Sequence, residues 1–387
     1  MAIVKKKMRA SEFFLVALTL GLTIFGVIMV FSASYYVSIN ASGNPYHFLT
    51  RSVVWAIVGL GLMIFLTFFP YRLYAKLAPL IMIVSLVLLG LIFTPLGVTR
   101  NFATRWIGIG ANAELTLMPG EIAKIAIIIF IAWWFSSDQR RIKAFGWGFM
   151  FPLGLTALVA GLIVVQPSLS TSITVVGIVF AMMFIAGVNT FFIGGTIAAG
   201  GFGLYYIIMS DPTGYWYRRL TSFMDPFADP LNTGYQAVQS LLALGSGGFS
   251  GLGLGRGVQK SLYLPEPQND FILAIIGEEL GFVGCAILFI AYIFMIWRGI
   301  SIALNAPDLF GTLLAFGITI MLAIQVILNI AVVTSSMPPT GITLPFISYG
   351  GNALLLFMGS MGILLNISMN SKRPCGDNLV SHAGSEE

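Results

Sequence analysis

The chain has 387 residues, 57% of them apolar and 9% charged, with a net charge of +5 and a mean hydropathy of +0.92. Soluble domains carry about a quarter charged residues. The deficit excludes a soluble enzyme, a nucleic-acid-binding protein and a disordered chain, all of which need polar surface to stay in water.

A helix that crosses a membrane needs about 20 mostly apolar residues. Ten stretches qualify, at roughly 13–34, 53–69, 77–95, 119–136, 145–165, 169–187, 192–209, 271–297, 309–333 and 345–368. The fifth and sixth are separated by the polar knot Gln166-Pro167-Ser168. The first follows Lys5, Lys6, Lys7 and Arg9, a basic start like that of a signal peptide. Its apolar run is long for one and Ser32-Ala33-Ser34 is a weak cleavage site, so a retained helix is expected.

The expected fold is therefore an all-α polytopic membrane protein of about ten spans. With the N-terminus inside, twelve Lys and Arg fall on cytoplasmic segments and seven outside, four of the seven in one long loop. Both termini are then cytoplasmic. Residues 1–370 read as a single integral-membrane domain and 371–387 as a disordered cytoplasmic tail. The outer face carries three unusual loops: about 96–118 with Arg100, Arg105, Trp106 and Glu114; about 210–270; and about 334–350, rich in Pro, Gly and Ser. Long loops are commonly functional.

Charged side chains inside spans are costly and are candidates for function. Glu121 and Lys124 sit at i,i+3 on one helix face, either as a structural ion pair or as the polar wall of a cavity. Residues 234–244 have helical apolar spacing, as a helix lying on the membrane surface or packed on the protein. The run Gly251-Leu252-Gly253-Leu254-Gly255-Arg256-Gly257 is neither a dinucleotide nor a Walker pattern, and reads as a flexible turn with one basic residue. Asp270 opens the eighth span, as an N-cap or as a carboxylate at the outer interface. Glu278 and Glu279 lie about two turns deeper, where they brace neighbouring helices or line a cavity floor. Met337-Pro338-Pro339-Thr340-Gly341 cannot be helical and must be buried in protein or line a watery cavity. Two cysteines, Cys285 and Cys375, and two distant histidines, His47 and His382, write neither a disulfide framework nor a metal cluster.

Four segments make the chain recognisable. They are Thr104-Arg105-Trp106-Ile107 with Met118-Pro119-Gly120-Glu121-Ile122-Ala123-Lys124; Arg218 to Pro226 continuing through Gly234-Tyr235-Gln236; Tyr263 to Phe271 continuing through Ile275 to Gly281; and Pro339 to Gly351. In this order they resemble the SEDS family, the FtsW, RodA and SpoVE peptidoglycan polymerases, over nearly the whole chain to about residue 370. Arg218 to Pro230 and Ile342-Thr343-Leu344 are more similar to the division and sporulation branch, FtsW or SpoVE, than to the elongation branch. Two positions depart from the family. Gln166-Pro167-Ser168-Leu169-Ser170 lacks the carboxylate of its Gln-Pro-Asp-Leu-Gly, and Met118-Pro119-Gly120-Glu121 replaces its Gln-Pro-Ser-Glu.

The resemblance implies an inverting glycosyltransferase of the bacterial cytoplasmic membrane that polymerises lipid II into glycan on the outer face. It implies Asp270 as the catalytic carboxylate, with Arg105, Trp106, Glu121, Lys124, Glu266 and Ser348 lining the cavity and Arg218 and Arg219 as further cations for the pyrophosphate. Arg suits phosphate because it can grip two oxygens at once. The implied partners are lipid II, the nascent glycan, membrane lipids and a class B penicillin-binding protein. No cofactor is written in the sequence; a divalent cation could assist the leaving group. A lipid II flippase is the competing class, argued from the intramembrane Glu121, Lys124, Glu278 and Glu279. Transporter sites, however, lie near the midplane of repeated halves, and no repeat is visible here.

Overall fold

The computed structural model describes residues 10–100, 103–109, 115–211, 217, 221, 223–232 and 234–371. Three helices, α1 (Ala10–Ser42), α2 (His47–Phe68) and α3 (Tyr71–Leu91), lead into three short strands, β1 (Gly97–Arg100), β2 (Ala103–Ile109) and β3 (Leu115–Leu117). Then come α4 (Pro119–Ser137), the one-turn α5 (Arg140–Lys143), and α6 (Phe151–Val165), entered through a π-helical turn at Phe145–Met150. Two further helices, α7 (Leu169–Ala186) and α8 (Thr190–Ser210), precede the long loop, which carries α9 (Tyr235–Gly247). The chain closes with α10 (Ile272–Leu304), α11 (Leu309–Val333) and α12 (Gly351–Met369).

Among the described residues, nine helices are long and apolar enough to cross a membrane, and the remaining expected span, the seventh at 192–209, falls on α8, whose apolar part Thr190–Gly203 is shorter. The protein is thus a multi-pass membrane protein, mostly helical. The knot at Gln166-Pro167-Ser168 does separate two helices, α6 and α7. Its proline cannot donate a helical hydrogen bond. Helix ends follow local chemistry. Pro119 starts α4 at a position that needs no N–H, and the Asn189 and Asp308 side chains accept from Phe191 N and Gly311 N to cap α8 and α11.

The loop at 96–118 adds a small sheet to the otherwise helical fold. It holds an antiparallel sheet in the order β1-β2-β3, with Val98 opposite Trp106 and Ile107 opposite Leu117. The register slips between Val98 and Thr99, whose partners are Trp106 and Thr104, so Arg105 is the extra residue of a β-bulge, a feature that re-aims a side chain out of the regular alternation.

The outer surfaces of the bundle are as apolar as its interior: Ile57, Phe65, Ile287, Ile290 and Ile293 are all exposed. Association in lipid then relies on close packing at small residues rather than on hydrophobic contrast. Gly362 lets α12 approach α2 until an added methyl would lie 2.4 Å from Met63 O, and Gly317 does the same for α11 against Ile128 of α4.

The glycine-rich run is not a flexible turn. Helix α10 breaks at Gly281, which has φ +65 and ψ −164. The chain after α9 zips into that break by main-chain bonds: Leu252 N to Glu278 O at 3.0 Å, Gly253 N to Glu279 O at 2.9 Å, and Phe282 N to Gly248 O at 2.9 Å. The expected short helix packs on the protein, with Ser240 Oγ donating to Val333 O at 2.7 Å. A methyl on Gly281 would meet Gly251 N at 2.3 Å and force a φ that L residues avoid. Gly281→Ala is expected to cost more than about 1 kcal/mol and to lower the melting temperature in detergent. Gly21→Ala, with open space around it, should not; equal melting temperatures would contradict this packing.

Candidate functional site

Asp270 lies half-buried two residues before α10. The first turn of that helix closes on the next residue, Ala274 N to Phe271 O at 2.9 Å. This leaves the Asp270 carbonyl to another partner, Asn329 Nδ2 of α11, which donates at 2.9 Å. The same Nδ2 donates to Ile342 O at 2.7 Å. One amide thus ties the Asp270 segment to the Pro- and Gly-rich segment that follows α11.

That tie sets Gly341 against the carboxylate. A methyl on Gly341 would lie 3.3 Å from Asp270 Oδ2 and 3.8 Å from Arg105 Nη1. Gly341 has φ +75, a conformation open to glycine. The carboxylate and the guanidinium therefore both border a residue that has no side chain to stand between them. Burial pushes the Asp270 carboxyl up to about 6; the Glu266 carboxylate adds to the rise and Arg105 opposes it. Glu266, at φ +51, accepts from Asn269 Nδ2 at 2.7 Å and stays exposed beside Asp270.

Arg105 also reaches the knot between α6 and α7, donating through Nη2 to Pro167 O. Gln166 Nε2 donates to Leu89 O at 3.2 Å, and Ser170 Oγ donates to Thr340 O at 2.8 Å. Ser168 is buried and its hydroxyl pairs with Thr171 at 2.9 Å. The knot thereby joins α3, the sheet and the last loop. Beside it opens a cavity of about 490 Å³ walled by residues including Phe93, Thr99, Thr104, Gln166 and Pro167.

Lys124 and Glu121 form the expected i,i+3 pair, with Nζ 2.9 Å from Oε1 and 2.8 Å from Oε2. Lys124 is 2% exposed and Glu121 7%. Lys124 also donates to Gln325 Oε1 at 3.0 Å and lies 6.0 Å from the Phe357 ring centroid. Gln325 is one helical turn from Asn329, about 6 Å along α11. The ion pair is therefore held one turn below the amide that holds Asp270.

Glu278 and Glu279 brace the loop rather than face the carboxylate. Glu278 accepts from Val258 N at 2.7 Å and Gln259 N at 3.1 Å. Glu279 meets Lys260 Nζ at 2.5 Å and Ser32 Oγ at 2.7 Å, so α1 is tied in as well. Residues 261–271, which carry Asp270, form a loop closed at its base by these two carboxylates. Ser348 uses its hydroxyl in its own turn, accepting from Leu344 N at 2.7 Å, and lines a narrow pocket with Thr23, Ser52 and Trp55. Trp106 lies on β2 beside Arg105, half-buried. Arg218 and Arg219 lie outside the described residues, as does the tail beyond Ser371.

The structure thus brings together Asp270, Glu266 and Arg105, with Glu121 and Lys124 in a separate buried cluster beneath. Sequence reading passes over Gln325 and Asn329, and takes Gly341 only as part of the non-helical run Met337 to Gly341. The two amides were open to notice, since Gln and Asn at i,i+4 inside an apolar span share one face.

Comparison with known proteins gives the family and the fold. The family model described as "Cell cycle protein", FtsW/RodA/SpoVE, matches residues 12–373. The chain is 41% identical to stage V sporulation protein E of Bacillus subtilis, over 95% of this chain and 99% of that protein. It is 38% identical to the "Probable peptidoglycan glycosyltransferase FtsW" of Geobacter metallireducens, over 95% and 97%. Among solved structures it superposes on a chain of a peptidoglycan synthase complex with TM-score 0.76 and 27% identity, covering 95% of this chain and 100% of the other. It superposes on the rod shape determining protein RodA of Thermus thermophilus with TM-score 0.69 and 26% identity, covering 94% and 98%. On the matched length, the helical order and the identities, the chain belongs to the FtsW/RodA/SpoVE family of cell cycle proteins.

Proposed function

We propose that this chain is a peptidoglycan glycosyltransferase that polymerises lipid II on the outer face of the bacterial cytoplasmic membrane, with Asp270 as its base. The observation that carries the reading is the half-buried Asp270 carboxylate, facing the Arg105 guanidinium across Gly341. The names of the FtsW relatives and the peptidoglycan synthase complex support it.

The chemistry asks for few groups. A sugar hydroxyl attacks the anomeric carbon of a lipid-linked sugar, and the bond to undecaprenyl pyrophosphate breaks on the opposite side. A single carboxylate that takes the hydroxyl proton suffices for inversion. A carboxyl raised to about 6 is ionised at neutral pH yet closer to the working pH than an ordinary aspartate. Arg105, held by Pro167 O near the carboxylate, is the cation offered to the leaving pyrophosphate. A divalent ion, when bound, would add positive charge there. Among the described residues no three His, Cys, Asp or Glu converge to hold one, so most of its ligands would come from the pyrophosphate.

The membrane orientation from Lys and Arg supports an extracytoplasmic site. The higher identity to the sporulation and FtsW proteins than to RodA supports a division or sporulation role. A class B penicillin-binding protein is the expected partner. The intramembrane carboxylates that favour a flippase are engaged elsewhere, Glu121 with Lys124 and Glu279 with Lys260.

Asp270→Asn is expected to lower lipid II polymerisation by the purified protein with its partner at least a thousandfold, without loss of fold; wild-type glycan synthesis by that variant would overturn the assignment. A base must be deprotonated, so activity should rise as pH climbs through about 6 and fail below it. Glu266→Gln removes the neighbouring negative charge and should move this acid limb to lower pH. A limb that stays in place in a steady-state pH profile would contradict the pairing.

A further inference from the structure

We infer that Asn329 is the positioning residue of this site: its amide holds the Asp270 main chain and the 339–344 segment together, and so sets Gly341 over the carboxylate. The inference deepens the glycosyltransferase reading and rests on it.

Asn329 is 0% exposed, on the interior face of a helix that crosses the membrane. An amide there is costly unless its hydrogens are used. Its Nδ2 makes two bonds, both to main-chain carbonyls and each in a different segment: Asp270 O at 2.9 Å and Ile342 O at 2.7 Å. Neither segment is helical at that carbonyl, so the bonds are not spare copies of a helical ladder. One more main-chain bond, Tyr349 N to Gln268 O at 2.9 Å, joins the same two segments farther along. Between these ties stand Gly341 and the carboxylate, 3.3 Å apart as measured from a methyl on the glycine.

Removing the amide frees the 339–344 segment to lift from Asp270. Water then reaches the carboxylate, and its base strength falls toward that of an ordinary aspartate. The charged groups facing it are Glu266 from its own loop and Arg105 from β2. Both stay in place, so the change traces to hydration and orientation. Asn329 itself does not reach the side-chain carboxylate, which separates its role from that of Asp270.

The test is steady-state polymerisation of lipid II by the full chain with its partner, for wild type, Asn329→Ala and Asn329→Ser, across pH. Asn329→Ala is expected to reduce kcat at least about tenfold, to leave KM within about twofold, and to move the acid limb below its wild-type position. Asn329→Ser keeps one donor and space for a water, and should fall between the two. If the alanine variant does not fold, the serine variant carries the same test. A folded variant with wild-type kcat and an unmoved acid limb overturns the inference, and so does a loss confined to KM. Wild-type protein that makes no glycan overturns the glycosyltransferase reading instead, so the two failures are distinct.

Discussion

A polar group inside a bundle surrounded by lipid has no water to turn to, so it must meet another polar group of the chain. The described structure is organised around this constraint. Lys124 meets Glu121 and Gln325; Glu279 meets Lys260 and Ser32; Asn329 meets two carbonyls. At the opposite end of α2, Asn366 accepts from Tyr71 N and donates to Thr67 O, which fixes the turn into α3. Apart from the i,i+3 pair of Lys124 with Glu121, these contacts join different elements of the chain. The polar residues therefore act as the registry pins of a bundle whose apolar surfaces would slide.

Several of the pins gather around Asp270 and build the candidate site. Glu278 and Glu279 close the base of the loop that carries Asp270. The knot at Gln166-Pro167 holds Arg105. Helix α11 joins the two levels, with Gln325 on the ion pair and Asn329 on the Asp270 segment. The outcome is a carboxylate partly withdrawn from water, with one guanidinium on the other side of Gly341. This arrangement raises the basicity of Asp270.

The spans were legible because a hydrophobic run of 18 residues or more has few other meanings. Asp270, Arg105 and the Glu121–Lys124 pair stood out because charge is so rare in this chain. Three features were not legible. The sheet at 97–117 is short and interrupted by glycines, so its alternation is weak against the loop reading. The glycine run 251–257 resembles a free turn until Gly281 breaks α10 and offers main-chain partners to it. The part played by Asn329 depends on carbonyls 59 and 13 residues away, which no local pattern encodes.

The central claim is that Asp270 performs glycosyl transfer on the outer leaflet. Liposomes that hold the protein and its partner in one orientation, with lipid II supplied to a single leaflet, test it most directly. Glycan polymer from the wild type with substrate on the extracytoplasmic leaflet, and none from Asp270→Asn, is the predicted result. Lipid II that crosses the bilayer without being polymerised, or polymer from Asp270→Asn, would contradict it.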